Sequence, residues 1–256
     1  MKKKFGQNFL INGQIVNDII KKSNINEKSE VYEVGPGNGV LTREILNKKP
    51  KKFLAIEIDK SLQAQLKNLF NKQNYQIVFN DALHFDETFF FHKNAIIISN
   101  LPYNISLKLL IKWIYQLKYK KWYSEMFLMF QKEVADRIIA KKNSKKFGRI
   151  ALLVSAFFKV SKIMDVKKEN FFPVPRVDSS VLHFELLTKP LFDIKDITKL
   201  ELISRILFSS KRKKLKNKIQ LLYNSDLIIK NNLSDYYDLR AENLDTETFY
   251  KMAQLL

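Results

Sequence analysis

Apolar residues in the first hundred positions fall into short continuous runs separated by stretches of helical spacing. The runs are 31–34, 53–56, 76–79 and 95–98. Their unbroken apolar character predicts strands covered on both faces, as in a parallel sheet flanked by helices. Between them, 40–47 and 61–71 place apolar residues three and four apart, which predicts amphipathic helices. The resulting βαβα alternation defines an α/β class. Farther on, the pattern predicts a helix over 106–117, an apolar strand over 126–130, a helix over 132–140, and closing strands over 150–160 and 181–187. After Lys189-Pro190 the character changes. There 196–207, 217–223 and 246–255 have helical spacing and no strand signal remains. This places a boundary near residue 188, with an α/β domain over 1–188 and a small all-α domain over 189–256.

The first predicted strand runs into Gly35-Pro36-Gly37-Asn38-Gly39 and then a helix. Glycines at a strand-to-helix turn let backbone approach a ligand and present amide N–H groups at the helix start. The spacing is G-x-G-x-G, whereas a dinucleotide fingerprint needs its third glycine one residue later, where Val40 stands. Glu57 ends the second strand, where a carboxylate can accept hydrogen bonds from both ribose hydroxyls. Asp81 follows the third, placed to accept from an adenine amino group. Successive acidic strand ends along one crevice favour an adenosine-containing cofactor. S-adenosylmethionine is the pyrophosphate-free member of that class.

Composition narrows the chemistry. The 46% hydrophobic content suffices for a packed core, and the absence of cysteine removes disulfides and thiolate chemistry. The three histidines, His84, His92 and His183, lack metal-ligand spacing, so no metal is expected. Lys2, Lys3 and Lys4 precede Gly6-Gln7-Asn8 rather than an apolar stretch, and no run reaches membrane-spanning length. A soluble, cytoplasmic protein with no membrane association is therefore expected. The formal net charge of +19 points to a polyanionic partner. Lys211 to Lys218 holds six basic residues in eight, and Lys211, Arg212, Lys213, Lys214 and Lys216 are the expected grip on RNA phosphates.

The fourth strand ends in Asn100-Leu101-Pro102-Tyr103, which resembles the signature of amine-directed nucleic-acid methyltransferases. An adenine amino group is a weak nucleophile because its lone pair is delocalised into the ring. Asn100 Oδ1 and the Leu101 carbonyl can each accept an N–H bond from it, favouring a more tetrahedral nitrogen aimed at a sulfonium methyl. Pro102 stiffens the turn, and the Tyr103 ring can stack on a flipped-out base.

With this motif in place the chain closely resembles the ribosomal RNA adenine dimethyltransferases over nearly its whole length. Phe5-Gly6-Gln7-Asn8-Phe9-Leu10, Gln131-Lys132-Glu133-Val134-Ala135-Asp136-Arg137 and Phe171-Phe172-Pro173-Val174-Pro175-Arg176-Val177-Asp178-Ser179 carry the likeness. The resemblance implies a Rossmann-like S-adenosylmethionine-dependent methyltransferase domain followed by a helical RNA-binding domain. It adds Asn8 and Leu10 to Gly35, Glu57, Asp81 and Asn100 as cofactor contacts, and makes Phe171 a second aromatic at the target base.

Val177-Asp178-Ser179, Phe208 to Asn217 and Arg240-Ala241-Glu242 resemble the small-subunit branch, which modifies two adjacent adenosines in a hairpin loop near the 3′ end of that RNA. The implied partner is small-subunit ribosomal RNA in an assembling subunit, without an obligate protein partner. The erythromycin-resistance branch, acting on large-subunit RNA, tends to carry Asn where Asp178 stands. A non-catalytic assembly or transcription factor on this fold and a DNA adenine methyltransferase are the other readings. The chain departs from the usual pattern at Ser99, often Gly or Ala, and at Ile150-Ala151, where Leu-Ser is common.

Overall fold

A computed structural model describes residues 8–69 and 74–256. Phe5, Gly6 and Gln7 of the first family segment, and Phe70 and Asn71 at the end of the predicted 61–71 helix, lie outside the described residues.

The N-terminal half opens with β1 (Phe9–Leu10), α1 (Gly13–Ser23), β2 (Glu30–Val34), α2 (Val40–Asn47) and β3 (Lys52–Glu57). It continues through α3 (Gln63–Lys67), β4 (Tyr75–Phe79), β5 (Ala95–Asn100), α4 (Ser106–Gln116) and β6 (Tyr123–Gln131). Then come α5 (Lys132–Ile138), α6 (Arg149–Ser155), β7 (Phe158–Val166), β8 (Phe171–Phe172) and β9 (Ser179–Leu186). The chain closes with α7 (Ile197–Leu207), α8 (Lys216–Leu222), α9 (Ser225–Lys230) and α10 (Thr246–Gln254).

Seven strands form one sheet in the order β4-β3-β2-β5-β6-β9-β7, and β1 and β8 form a separate two-stranded ribbon. The β3–β4, β2–β3, β2–β5 and β5–β6 pairs are parallel, and β6–β9 is antiparallel. Val31, Tyr32, Ile97 and Ile98 are fully buried in the central strands, as expected for a sheet covered on both faces. This is the Rossmann-like architecture implied above. From β2 the chain builds outward through β3 and β4, then returns to add β5 and β6 on the other side. The carboxyl ends of β2 and β5 therefore flank a topological switch point, where open α/β sheets leave a crevice.

The chain divides into two compact units: residues up to Ala135 with Val160–Leu186, and Asp136–Lys159 with Leu187–Leu256. The boundary expected near 188 has its counterpart at 186/187, but 136–159, assigned by pattern to the α/β domain, clusters with the C-terminal helices. The reason is aromatic packing. Phe147 meets Phe208 at 5.8 Å and Phe249 at 6.4 Å, and Tyr250 Oη donates to the Leu152 carbonyl at 3.2 Å.

The strand predicted over 150–160 is instead α6 followed by the start of β7. Ala151, Leu152, Leu153 and Val154 are all buried, so their run shows no helical stripe and mimics a covered strand. β7 is an edge strand with Lys159, Ser161 and Lys162 exposed, which deters pairing with other chains. Helix α1, absent from the predicted elements, buries Val16, Ile19, Ile20 and Ser23 and is capped by Asn12 Oδ1, which accepts from the Gln14 and Ile15 amides.

Candidate active site

β2 ends at Val34, and Gly35, Gly37 and Gly39 follow with φ of +68°, +57° and +78°. These left-handed angles strain any L side chain. At Gly37 a second constraint applies, because a Cβ there would stand 2.6 Å from the Phe9 ring. The Gly35 amide donates to the Ile56 carbonyl at 2.8 Å, tying the turn to β3. Ser99 is buried, and its hydroxyl donates to the Val34 carbonyl at 2.5 Å. It joins the ends of the two strands at the switch point.

A cavity of about 280 Å³ opens there. Gly35, Gly37 and Glu57 line it, as do Asp81 and the segment from Asn100 to Ile105. Glu57 is buried, and its carboxylate accepts from the amides of Gly37 (3.2 Å), Ile58 (2.9 Å) and Asp59 (2.9 Å). Burial raises its pKa, opposed by those three bonds. Asp81 accepts from the Leu83 amide at 2.8 Å and lies 3.2 Å from His84 Nδ1. Its loop is pinned from α4: Lys112 Nζ donates to the Ala82 carbonyl at 2.7 Å, to the Phe85 carbonyl, and to the Glu87 carboxylate at 2.9 Å. Glu87 is fully buried and also accepts from Tyr32, Trp113 and Gln116.

At the end of β5, Asn100 Nδ2 donates to the Asn8 carbonyl at 2.9 Å. This fixes the amide plane and leaves Oδ1 as the acceptor. Leu101 is buried, Pro102 packs near Gly35, and Tyr103 Oη shares a 2.6 Å hydrogen bond with Ser179 Oγ. Burial raises the Tyr103 pKa, so the phenol keeps its proton.

The structure thus gathers Asn8, Gly35, Glu57, Asp81 and Asn100 to Tyr103 around one space. Leu10 and Phe171 are not among its lining residues. Leu10 opposes Phe171 across the β1–β8 ribbon, and both are buried in the hydrophobic core at 6% and 1% exposure. Phe171, implied at the target base, is here a core residue, because strand alternation turns it inward with Leu10. Phe9, to which the sequence assigns no role, also lines the cavity. Its membership of the N-terminal family segment was the available signal. Lys112 and Glu87 carried no sequence signal, being joined only by folding.

In the second unit the basic run spans the turn between α7 and α8 and the start of α8. Lys211 Nζ donates to the Phe147 carbonyl at 2.9 Å, Lys218 Nζ to the Leu207 and Ser210 carbonyls, and Lys214 pairs with Asp238 at 2.6 Å. Arg212, Lys213 and Lys216 are exposed. Of the expected RNA contacts, Lys211 and Lys214 are engaged within the chain, whereas these three face solvent. Among the described residues no group of three or more His, Cys, Asp or Glu is arranged to hold a metal, and no helix is long and apolar enough to cross a membrane.

The family model described as "Ribosomal RNA adenine dimethylase" matches residues 1–256. "Ribosomal RNA small subunit methyltransferase A" of Pelagibacter ubique (strain HTCC1062) is 39% identical over 253 residues, spanning 99% of this chain and 95% of that protein. The crystal structure of a dimethyladenosine transferase from Plasmodium falciparum superposes with a TM-score of 0.80 at 26% identity, covering 95% of each chain. A 23S rRNA methyltransferase, ErmE, superposes with a TM-score of 0.72 at 19% identity over 96% of this chain and 98% of that one, a likeness of fold.

Proposed function

Because this chain belongs to the ribosomal RNA adenine dimethylase family, we propose that it dimethylates the exocyclic amines of two adjacent adenosines in a hairpin loop near the 3′ end of small-subunit ribosomal RNA. The setting is an assembling small subunit in the cytoplasm. One observation carries the reading: Glu57 and Asn100, at the ends of the strands on either side of β2, line a single cavity at the switch point, each already oriented by backbone partners.

The donor set fits S-adenosylmethionine. Glu57, held by three amides, presents a carboxylate to a ribose, Asp81 an acceptor to adenine, and Gly35 and Gly37 line the cavity with backbone alone. When bound, that cofactor supplies an electrophilic sulfonium methyl. Asn100 Oδ1 and the Leu101 carbonyl accept N–H bonds from the target amine and aim its lone pair. Tyr103 supports the base with its ring while Ser179 fixes its hydroxyl. Bond formation from the amine nitrogen to that methyl carbon would break the carbon–sulfur bond, leaving its electron pair on a neutral thioether sulfur, and the methylated nitrogen would shed its proton to water, so no strong base is required.

Labelled methyl transfer to unmethylated small subunits, large subunits and naked RNA, run side by side, tests the proposal. Label is expected in small-subunit RNA. Label confined to large-subunit RNA overturns the choice of substrate, and calorimetry showing no S-adenosylmethionine binding makes the chain a non-catalytic RNA binder.

A further inference from the structure

The β1–β8 ribbon divides four apolar side chains between two faces. Phe9 stands opposite Phe172, and Leu10 opposite Phe171. Directly opposed residues of an antiparallel pair share a face, and successive residues alternate. Leu10 and Phe171 take the core face. Phe9 and Phe172 therefore share the other. Phe9 lines the cavity, and its ring occupies the space that a side chain at Gly37 would need. Phe172 is 58% exposed, so an aromatic ring stands open to solvent on the face that borders the cavity.

That ring sits on a restrained backbone. On one side the Ile11 amide donates to the Asn170 carbonyl at 2.9 Å, and Asn12 Nδ2 to Asn170 Oδ1 at 2.8 Å. On the other, Asp178 accepts from the Lys168 amide and from Lys167 Nζ, both at 3.1 Å. The segment leading into Phe172 is thus fastened to both of its neighbours. An exposed aromatic with a fixed backbone is pre-organised for a flat partner. Val174 and Val177, exposed at 55% and 43%, and the exposed Arg176 continue the same loop, adding apolar contact and a cation for phosphate.

We propose that Phe172 is a stacking platform for the unpaired nucleobase next to the target adenosine. This rests on the function proposed above. A base drawn into the cavity leaves its neighbour without a stacking partner on one side, and an exposed aromatic on the cavity's border replaces it. The net charge of +19 draws the RNA backbone in without reading its bases. Phe171, buried beneath the ribbon, cannot serve this role without leaving the core.

The test uses the full chain with a hairpin RNA carrying two adjacent loop adenosines and a fluorescent adenine analogue at the nucleotide flanking them. Phe172→Ala should raise KM for the RNA about tenfold and abolish quenching of the analogue. S-adenosylmethionine affinity and kcat should stay within about twofold, since nothing in the cavity is removed. Phe172→Trp should restore both KM and quenching. Wild-type KM and quenching in Phe172→Ala overturns the inference, as does full rescue by Phe172→Leu, which has no π-face. A wild-type protein that neither binds S-adenosylmethionine nor methylates RNA overturns the parent function instead, so the two failures are distinguishable.

Discussion

In the cavity, Glu57 is gripped by three amides, Asn100 by the Asn8 carbonyl and Tyr103 by Ser179. In the turn between α7 and α8 and at the start of α8, Arg212, Lys213 and Lys216 extend into solvent, and their neighbours Lys211 and Lys218 hold the turn together instead. The contrast follows the work proposed for each. Methyl transfer requires an amine aligned on a carbon to within a fraction of an ångström, so its ligands are fixed before substrate arrives. Phosphate attraction acts through counterion release and tolerates mobile side chains. The cavity should therefore respond to changes of atom and of pH, and the turn to changes of salt.

The largest effect is expected at Asn100. Asn100→Ala removes an oriented acceptor and should lower kcat about 10²- to 10³-fold, with cofactor affinity changed far less. Methyl transfer and calorimetry on the same preparation check this, and near-wild-type turnover refutes the assigned role. Next comes Glu33, buried on β2 with its carboxyl group accepting from Thr42 Oγ1 at 2.8 Å. Burial pushes its pKa up to about 8 from 4.5, and the nearby Glu57 adds to the rise. The folded chain therefore keeps this proton where the unfolded chain releases it. The stability it contributes is full below about pH 4.5 and is lost as pH climbs through 8, at up to about 1.4 kcal/mol per pH unit. Glu33→Gln should flatten that slope, read by urea unfolding at pH 5 and pH 8. An unchanged slope would show that Glu33 ionises normally.

Glu57→Gln should weaken S-adenosylmethionine binding about tenfold. The substitution leaves one acceptor oxygen where the carboxylate has two. Titration calorimetry distinguishes this from a turnover effect. The smallest change sharpens the contrast inside the basic run. Lys213→Ala should weaken RNA binding a few-fold and reduce the salt slope by about one ion. Lys211→Met should leave the slope nearly unchanged and lower the melting temperature, because its amine serves the Phe147 carbonyl. Equal salt slopes for the two variants would erase the distinction between free and engaged lysines.

Much of the α/β unit was legible before folding. The runs 31–34, 53–56, 76–79 and 95–98 are β2 to β5 within a residue or two, because strands buried on both faces need continuous apolar sequence. Helix α1 was equally readable: Val16, Ile19, Ile20 and Ser23 follow helical spacing behind an Asn12 cap. Segment 150–160 was not readable in this way, since a fully buried helix and a covered strand look alike over so short a run. Of the site, Gly35, Glu57, Asp81 and Asn100 stood out because each stands at the end of a strand or within two residues after it. Phe171 was drawn from resemblance, and its burial depends on ribbon register, which no local pattern encodes.

By itself the sequence determined the strand ends, the glycine turn with its positive φ angles, the amine-directed tetrapeptide and the concentration of positive charge. These are local, set by residue type and by spacing of one strand or one helical turn. Tertiary structure alone decided that Lys112 pins the Asp81 loop, that Ser179 holds Tyr103, that Lys211 is engaged while Lys213 is free, and that Phe172 rather than Phe171 faces outward. Each of these depends on partners tens of residues apart or on the register of two paired strands. Such contacts exist only once packing has chosen which groups meet.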